Sequence, residues 1–182
     1  MVAPKNNFKA ALRNKKLQIG FWQSLSSITT AEISAQVGFD WLLIDGEHAP
    51  NSIENIANLL RVIDPSNSNA VVRVVAGITH DIKQTLDVGA QTVLVPMVET
   101  AQQAEDMVRA VLYPPHGIRG AASITRAARY GVTSNYAASA NEEICLLVQA
   151  ESQTALDNLE SICAVEGVDG VFIGPFDLAA SM

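Results

Sequence analysis

The chain has 182 residues, of which 48% are hydrophobic and 17% charged, and its net charge is −7 without a basic cluster. This length suits one domain covering residues 1–182, and the negative charge argues against nucleic acid or an anionic membrane surface as a partner. No apolar run approaches the ~20 residues that span a bilayer. Cys145 and Cys163 lie in apolar stretches without C-x-x-C spacing, which indicates buried, reduced thiols. We therefore expect a cytoplasmic globular protein.

Helix and strand patterns alternate regularly along the chain. The N-terminal segment NNFKAALRNKKLQIG mixes charged with apolar residues and predicts a surface helix that leads into the first strand. Short apolar runs predict strands at 17–22, 41–45, 70–75, 92–98, 143–151 and 170–175. Helical spacing predicts helices at 29–38, 52–62, 81–88, 100–112 and 154–165, and the first turn of another at 177–182. Residues 113–123 are rich in turn-forming residues and predict an irregular segment.

This alternation predicts an α/β fold with a parallel sheet covered by helices. No G-x-G-x-x-G follows the first strand, and polar residues end several strands, so a (β/α)8 TIM-type barrel is favoured over an open doubly wound sheet. Such a barrel typically needs ~250 residues, so this chain holds only about six or seven of its strands. We therefore expect a barrel that is incomplete at its C-terminal end and lacks its last strand and final helices.

Chemically active side chains end several of the predicted strands. Asp45, Glu47 and His48 follow the second strand, Arg73 ends the third, Gln149 and Glu151 end the strand at 143–151, and Asp177 follows the last. Each has an ordinary explanation taken singly, such as a helix cap, an ion pair or a solvated loop. Parallel strands present their carboxyl ends at one edge, however, and together these residues favour an active site there.

The residue types at this edge suit metal-assisted chemistry on a 2-oxo acid. Two carboxylates beside a glutamine form a hard oxygen ligand set that fits Mg²⁺ or Mn²⁺. A cation with open positions acts as a Lewis acid and stabilises the enolate that forms when a carbon–carbon bond breaks. Arg73 would stabilise the same developing charge, and His48 would move the proton of a hydroxyl group. The pattern therefore predicts a metal-dependent aldolase.

The sequence resembles the HpcH/HpaI aldolase family of class II, metal-dependent pyruvate aldolases, and most closely its 4-hydroxy-2-oxoheptanedioate (2,4-dihydroxyhept-2-ene-1,7-dioate) aldolases. The resemblance implies a TIM-type barrel of the phosphoenolpyruvate/pyruvate kind. It also implies reversible cleavage of 4-hydroxy-2-oxo acids to pyruvate and an aldehyde such as succinic semialdehyde, in aromatic catabolism. The matching stretches are GFDWLLIDGEHAPN, VVR, LDVGAQTVLVPMV, YPPHGIRG, LVQAE and VEGVDGVFIGPFDLAASM.

The resemblance also implies roles for individual residues. His48 would be the proton acceptor and Arg73 the residue that stabilises the transition state. Asp87 would raise the basicity of the histidine, although the predicted strands put it at the opposite end of the barrel, where a neighbouring subunit would have to supply it. Asp45 would support His48 or simply cap its strand. The implied metal ligands are Glu151 and Asp177, which would bind Mg²⁺, Mn²⁺ or Co²⁺, and the implied substrate contacts are Gln149, Phe176 and Asp177.

Similarity to this family further implies a homo-oligomer, usually a hexamer, that acts on small 2-oxo acids and aldehydes. Two motifs depart from the usual family pattern, GPFD in place of GPAD and VQAE in place of VQIE. Three alternatives stay open at this point. They are an aldolase for 2-keto-3-deoxy sugar acids, a related acyl-CoA lyase, and an inactive barrel fragment with a binding or assembly role.

Overall fold

A computed structural model describes residues 1–182 of the chain. Its centre is a six-stranded parallel sheet in which the strands neighbour one another in sequence order. All six predicted strands are present, and the predicted parallel arrangement is confirmed. The strands are β1 (Gly20–Gln23), β2 (Trp41–Asp45), β3 (Asn69–Arg73), β4 (Thr92–Val95), β5 (Cys145–Ala150) and β6 (Gly170–Ile173).

Helices connect these strands and cover the outer face of the sheet. The predicted helix at 154–165 is divided into two short helices at Asn158, and an unpredicted helix precedes β5. No helix combines the length and the apolar composition that crossing a membrane requires. The helices are α1 (Asn7–Arg13), α2 (Ile28–Gln36), α3 (Ile53–Ile63), α4 (Thr79–Asp87), α5 (Ala101–Val111), α6 (Tyr136–Glu143), α7 (Gln153–Asp157), α8 (Leu159–Cys163) and α9 (Pro175–Ser181), and a 3-10 turn occupies Arg129–Gly131.

The sheet is a half-barrel, and the prediction of a (β/α)8 TIM-type barrel is wrong for this chain. Strand β1 pairs only with β2, and β6 pairs only with β5, so the sheet has two open edges. Closure of a barrel requires every strand to have two neighbours. The long segment between α5 and α6 contains turns and the 3-10 turn but no strand, which limits the sheet to six strands.

The outer face of the sheet is held by apolar contacts with the helices. Side chains alternate between the two faces of a strand, so Leu42, Ile44 and Val72 point outward and are buried against α2 and α3. Full burial of one leucine or isoleucine contributes about 1.5–3 kcal/mol. A second cluster, built on Val93, Val95, Leu146 and Val148, packs against α4, α5 and α8. These contacts fix the strands and, with them, the residues at their ends.

Helix α1 closes part of the inner face instead of lying on the surface, so the prediction of a surface helix is wrong. Its Phe8 is 4% exposed, and its Lys9 is 8% exposed and pairs with Asp169 at 3.2 Å. A lysine in a charged segment suggests solvent exposure, but here the ion pair satisfies the buried ammonium group. Phe8 packs against the inward side chains Leu43, Val71, Leu94, Cys145 and Leu147.

The two cysteines are both free, but their environments differ. Cys145 in β5 is buried, and this burial raises the pKa of its thiol to about 12. Cys163 at the end of α8 is exposed, so the prediction of a buried thiol is confirmed for Cys145 and wrong for Cys163.

Candidate active site

Asp45 and Arg73 form a buried ion pair at the carboxyl ends of β2 and β3. The two residues occupy opposite positions in the register of the strands. Arg73 donates from Nε to Asp45 Oδ1 at 2.9 Å and from Nη2 to Asp45 Oδ2 at 2.8 Å. The Arg73 side chain is 6% exposed and that of Asp45 is 3% exposed. A two-pronged pair of this kind fixes the plane of the guanidinium group as well as its position.

Asp45 also organises the turn that carries His48. Its Oδ1 accepts hydrogen bonds from the backbone N–H groups of Glu47 and His48 at 3.0 and 3.2 Å, and its Oδ2 accepts one from Trp22 Nε1 at 3.2 Å. Burial would raise the pKa of Asp45, but hydrogen bonds from Arg73, Trp22 and the His48 backbone outweigh it, so the pKa of Asp45 is lowered. The carboxylate is therefore charged at neutral pH and anchors the turn.

Glu47 is a member of this cluster for which the sequence alone suggested no individual role. Its Oε2 lies 2.8 Å from Arg73 Nη1 and 3.7 Å from His48 Nε2. Burial raises the pKa of Glu47, and nearby Glu151 and Asp45 raise it further, although Arg73 and His48 act in the opposite direction. Its place between Asp45 and His48 in the motif DGEH was the signal available in the sequence.

A cavity of about 530 Å³ opens beside these residues at the carboxyl edge of the sheet. The side chain of His48 is 64% exposed and faces solvent at this cavity. Aromatic residues form one wall, where Trp22 and Phe172 have ring centroids 5.7 Å apart. The cavity is lined by Trp22, His48, Arg73, Gln149, Phe172, Gly174, Pro175, Phe176 and Asp177. It therefore combines an apolar wall with groups that can bind an anion or move a proton.

Gln149 and Glu151 lie next to this cavity, and their side chains point the same way, as expected for alternate residues of a strand. Gln149 Nε2 donates a hydrogen bond to Glu151 Oε2, and the backbone N–H of Met97 donates to Glu151 Oε1 at 2.9 Å. Gln149 is 2% exposed, and its Oε1 is buried without a hydrogen-bond partner. A buried acceptor without a partner is costly, so this oxygen is suited to a ligand in the cavity.

The carboxylate of Glu151 requires a glycine beside it. A Cβ atom at Gly174 would lie 2.4 Å from Glu151 Oε2 and 3.0 Å from Gln149 Nε2. The backbone directly after β6 approaches these two side chains so closely that any added Cβ atom would force Glu151 to shift. Gly174 was not predicted from the sequence, because a close approach of backbone to a side chain leaves no pattern in one sequence.

Asp177 and Phe176 enter the cavity from the first turn of α9, directly after β6. Both are exposed, Phe176 to 85%. Asp177 is thus on the same cavity as Arg73 and Gln149, and Gln149 in turn is hydrogen-bonded to Glu151. Of the two predicted metal ligands, Glu151 directly follows β5, and Asp177 lies in α9, which follows β6, the strand paired with β5.

The donor set at this edge fits a divalent cation. Glu151 is 3% exposed and makes no ion pair with a lysine or arginine. Three carboxylates, those of Asp45, Glu47 and Glu151, lie near the single guanidinium group of Arg73. The negative charge of this group of residues is therefore not fully compensated. Carboxylates with excess negative charge are the ligands that Mg²⁺ and Mn²⁺ prefer. The chain holds no cluster of three or more His, Cys, Asp or Glu side chains of ligating geometry, so a cation here would have at most two carboxylate ligands from this group, as Mg²⁺ commonly does.

Asp87 lies away from this cavity, at the C-terminal end of α4. Its Oδ1 accepts a hydrogen bond from Arg119 Nη2 at 3.0 Å, and Arg119 is 1% exposed. The Arg119 guanidinium also stacks over Tyr113, 4.3 Å from the ring centroid. Within one chain, the structure does not bring Asp87 to His48.

Residues 18–182 match the HpcH/HpaI aldolase/citrate lyase family. The chain belongs to this family. It is a lyase of the class II aldolase type, as the sequence predicted. The family resemblance is therefore confirmed, and with it the prediction that the chain is an enzyme.

Among related sequences, the chain is 56% identical over 178 residues to a 2-keto-3-deoxy-L-rhamnonate aldolase of Escherichia coli K12, covering 97% of this chain and 67% of that one. The more specific resemblance to 4-hydroxy-2-oxoheptanedioate aldolases is not supported, because this relative is named for a sugar-acid substrate. Its similarity favours the sugar-acid alternative.

Solved structures show the same architecture. An HpcH/HpaI aldolase/citrate lyase family protein from Burkholderia cenocepacia J2315 superposes with a TM-score of 0.95 at 42% identity, over 97% of this chain and 72% of that one. A citrate lyase beta subunit from Mycobacterium tuberculosis, complexed with oxaloacetate and magnesium, has a TM-score of 0.57 at 19% identity, over 94% of this chain and 63% of that one. The second likeness supports the fold alone.

Proposed function

We propose that this protein cleaves a 2-keto-3-deoxy sugar acid, such as 2-keto-3-deoxy-L-rhamnonate, to pyruvate and a hydroxyaldehyde in a metal-dependent retro-aldol reaction. The observation that carries the choice of substrate is the 56% identity over 97% of the chain to a 2-keto-3-deoxy-L-rhamnonate aldolase. The choice of reaction is supported by the cavity in which Arg73, His48 and Asp177 meet. The proposed substrate is therefore a sugar acid and not the 4-hydroxy-2-oxoheptanedioate expected from the sequence. With that change, a role in aromatic catabolism is no longer proposed.

Glu151 and Asp177 would hold the divalent cation at the carboxyl edge of the sheet. When bound, the cation would supply positive charge beside the ketone and carboxylate oxygens of the 2-oxo acid. The citrate lyase beta subunit from Mycobacterium tuberculosis, which shares the fold, was solved in complex with oxaloacetate and magnesium. The unpaired Oε1 of Gln149 would accept a hydrogen bond from a substrate hydroxyl or a bound water.

Cleavage begins with loss of the proton from the C4 hydroxyl, which His48 accepts. The C3–C4 bond then breaks, its electron pair enters the C2–C3 bond, and the negative charge moves to the C2 oxygen. Arg73 stabilises this charge with N–H groups that Asp45 and Glu47 hold in place. A proton returned to C3 completes pyruvate, and the C4–C6 fragment leaves as lactaldehyde. The balance needs no oxidant or reductant.

We further propose that the protein works in the cytoplasm as a homo-oligomer. Asp87 is paired with Arg119 in its own chain, so it would raise the basicity of His48 only across a subunit contact.

The backbone at Phe176 would contact the substrate carboxylate. These assignments follow from the family resemblance and are tested by the oligomeric state and by Asp87→Asn.

The substrate is tested by measuring pyruvate release, coupled to lactate dehydrogenase, at saturating Mg²⁺. The proposal predicts a higher kcat/KM for 2-keto-3-deoxy-L-rhamnonate than for 4-hydroxy-2-oxoheptanedioate or an acyl-CoA. A preference for the dicarboxylic substrate would overturn the choice of sugar acid. Absence of turnover with every substrate by the folded, metal-supplied chain would favour the inactive fragment.

A further inference from the structure

The loop that follows β4 is bonded directly to the end of β5. The backbone N–H of Met97 donates to Glu151 Oε1 at 2.9 Å, and the backbone N–H of Val98 donates to the carbonyl oxygen of Gln149 at 3.2 Å. The first bond reaches the side chain of a proposed metal ligand, and the second fixes the backbone two residues before it. The loop therefore contacts both the Glu151 carboxylate and the backbone that precedes it.

A third residue of the same loop reinforces the connection. Ser152 Oγ donates to Glu99 Oε1 at 2.5 Å, and Asn158 Nδ2 donates to the Glu99 carbonyl oxygen at 2.9 Å. Ser152 follows Glu151 directly and is 8% exposed. These bonds tie the loop to the residues at both ends of α7, the helix that follows Glu151.

Met97 adopts an unusual backbone conformation at this point. Its φ angle is 55°, in the left-handed region that residues with a side chain seldom occupy. Its side chain is 51% exposed, so burial of the side chain does not account for the conformation. Strained backbone of this kind persists where the surrounding structure holds it, and it concentrates at functional sites.

We infer that Met97 is a positioning residue for Glu151: its left-handed backbone aims the N–H group at Glu151 Oε1 and presets the carboxylate for a divalent cation. This inference rests on the proposed metal-dependent function. An ionised carboxylate has about four lone-pair sites, and Met97 and Gln149 occupy one on each oxygen. The remaining sites would be available to a divalent cation. Groups that orient a metal ligand in this way typically change metal affinity by roughly 10–100-fold.

The inference is tested by Mn²⁺ affinity, measured by isothermal titration calorimetry on the full chain. Met97→Gly keeps the N–H group and accepts the left-handed conformation without strain, so it should bind Mn²⁺ as wild type does. Met97→Val resists this conformation and should weaken binding roughly tenfold or more. Tyr130→Val is the matched control, because Tyr130 also has a φ angle of 55° and is 62% exposed.

The control separates positioning from general strain. Tyr130 lies on the cavity with Pro4 and Gly89, away from Glu151, so Tyr130→Val should lose stability but keep its Mn²⁺ affinity. Wild-type affinity in Met97→Val, or an equal loss in Met97→Gly, would overturn the inference. A Glu151→Gln variant distinguishes failure of the positioning role from failure of the metal site. If it binds Mn²⁺ as tightly as wild type, the proposed metal site fails and the inference fails with it.

Discussion

Arg73 is held by two carboxylates at once, with both oxygens of Asp45 at 2.9 and 2.8 Å and Glu47 Oε2 at 2.8 Å. Its guanidinium group also lies 5.0 Å from the ring centroid of Trp22. Contacts with Asp45, Glu47 and Trp22 therefore fix the guanidinium group before a substrate binds. Catalysis by stabilisation of charge depends on such fixed donors, since they need no reorganisation during the reaction.

Loss of the Asp45 charge should destabilise the fold strongly. Asp45→Asn leaves a buried guanidinium short of its partner, which costs about 3–5 kcal/mol in the free energy of unfolding. Asp64→Asn is the matched control, because Asp64 pairs with Arg126 but its side chain is 50% exposed, and such pairs are worth less than about 1 kcal/mol. Urea denaturation at pH 7 measures both. Equal losses in the two variants would contradict the account of the buried pair.

The stability of the protein should depend on pH through Asp45. Its pKa is lowered in the folded state from 3.8, so the unfolded chain binds the proton first as the pH falls. Stability from Asp45 is therefore fully present above about pH 4–5 and is lost as the pH drops through the folded-state pKa. Urea denaturation of wild type and Asp45→Asn between pH 7 and 3 should give curves that converge at low pH. A constant gap across this range would exclude the assigned cause.

Glu47 should behave in the opposite sense. Its pKa is raised in the folded state from 4.5, mainly by burial, so its charged form opposes folding above that pH. Glu47→Gln should therefore cost less free energy of unfolding at pH 7 than Asp45→Asn, although both residues contact Arg73. The two variants are compared in the same denaturation experiment. A larger loss for Glu47→Gln would show that the contact with Arg73 outweighs burial.

Arg73→Lys should reduce catalysis while leaving the positive charge. Lysine carries its three N–H donors on a single nitrogen atom, so it cannot reproduce the planar fork with which Arg73 bonds Asp45 and Glu47 at once. We expect kcat for pyruvate release to fall about a hundredfold, the usual cost of losing one donor to a developing oxyanion. Circular dichroism of the variant checks that it is folded. An unchanged kcat in a folded variant would remove Arg73 from the proposed mechanism.

Gly174→Ala should disturb the Glu151 carboxylate specifically. The added methyl group would lie 2.4 Å from Glu151 Oε2, whereas the same change at Gly170 meets only the Cδ2 end of Leu147, at 3.1 Å. We expect Gly174→Ala to weaken Mn²⁺ binding roughly tenfold or more, and Gly170→Ala to leave it unchanged. Calorimetric titration measures both. Similar Mn²⁺ affinities in the two variants would contradict the proposal that metal binding depends on the position of the Glu151 carboxylate.

Much of the fold was predictable from local patterns. The six strands were found because each is a short apolar run between turn or helix signals, as in WLLID and AVVRVV. The open edges of the sheet were not predictable, because an apolar pattern identifies a strand but does not show whether it pairs on one side or on both. Helix α1 was assigned to the surface because its lysines suggest solvent, and the buried pair of Lys9 with Asp169 is a long-range contact.

The candidate site likewise contains residues that the sequence predicted and residues that only the structure revealed. Asp45, Arg73, Gln149 and Glu151 were predicted to meet, since the carboxyl ends of parallel strands share one edge. Met97 and Gly174 were missed, because one acts through its backbone N–H group and the other through the absence of a side chain. Contacts made by backbone atoms have no residue-type signal, so a structure was needed to find them.

The most direct test of the account is pyruvate release from 2-keto-3-deoxy-L-rhamnonate by protein stripped of metal with EDTA, then resupplied with Mg²⁺, Mn²⁺ or Co²⁺, beside Glu151→Gln. The account predicts no turnover after stripping, recovery with the added ion, and no recovery in the variant. Turnover that survives EDTA, or a Glu151→Gln variant that recovers as wild type does, would contradict it.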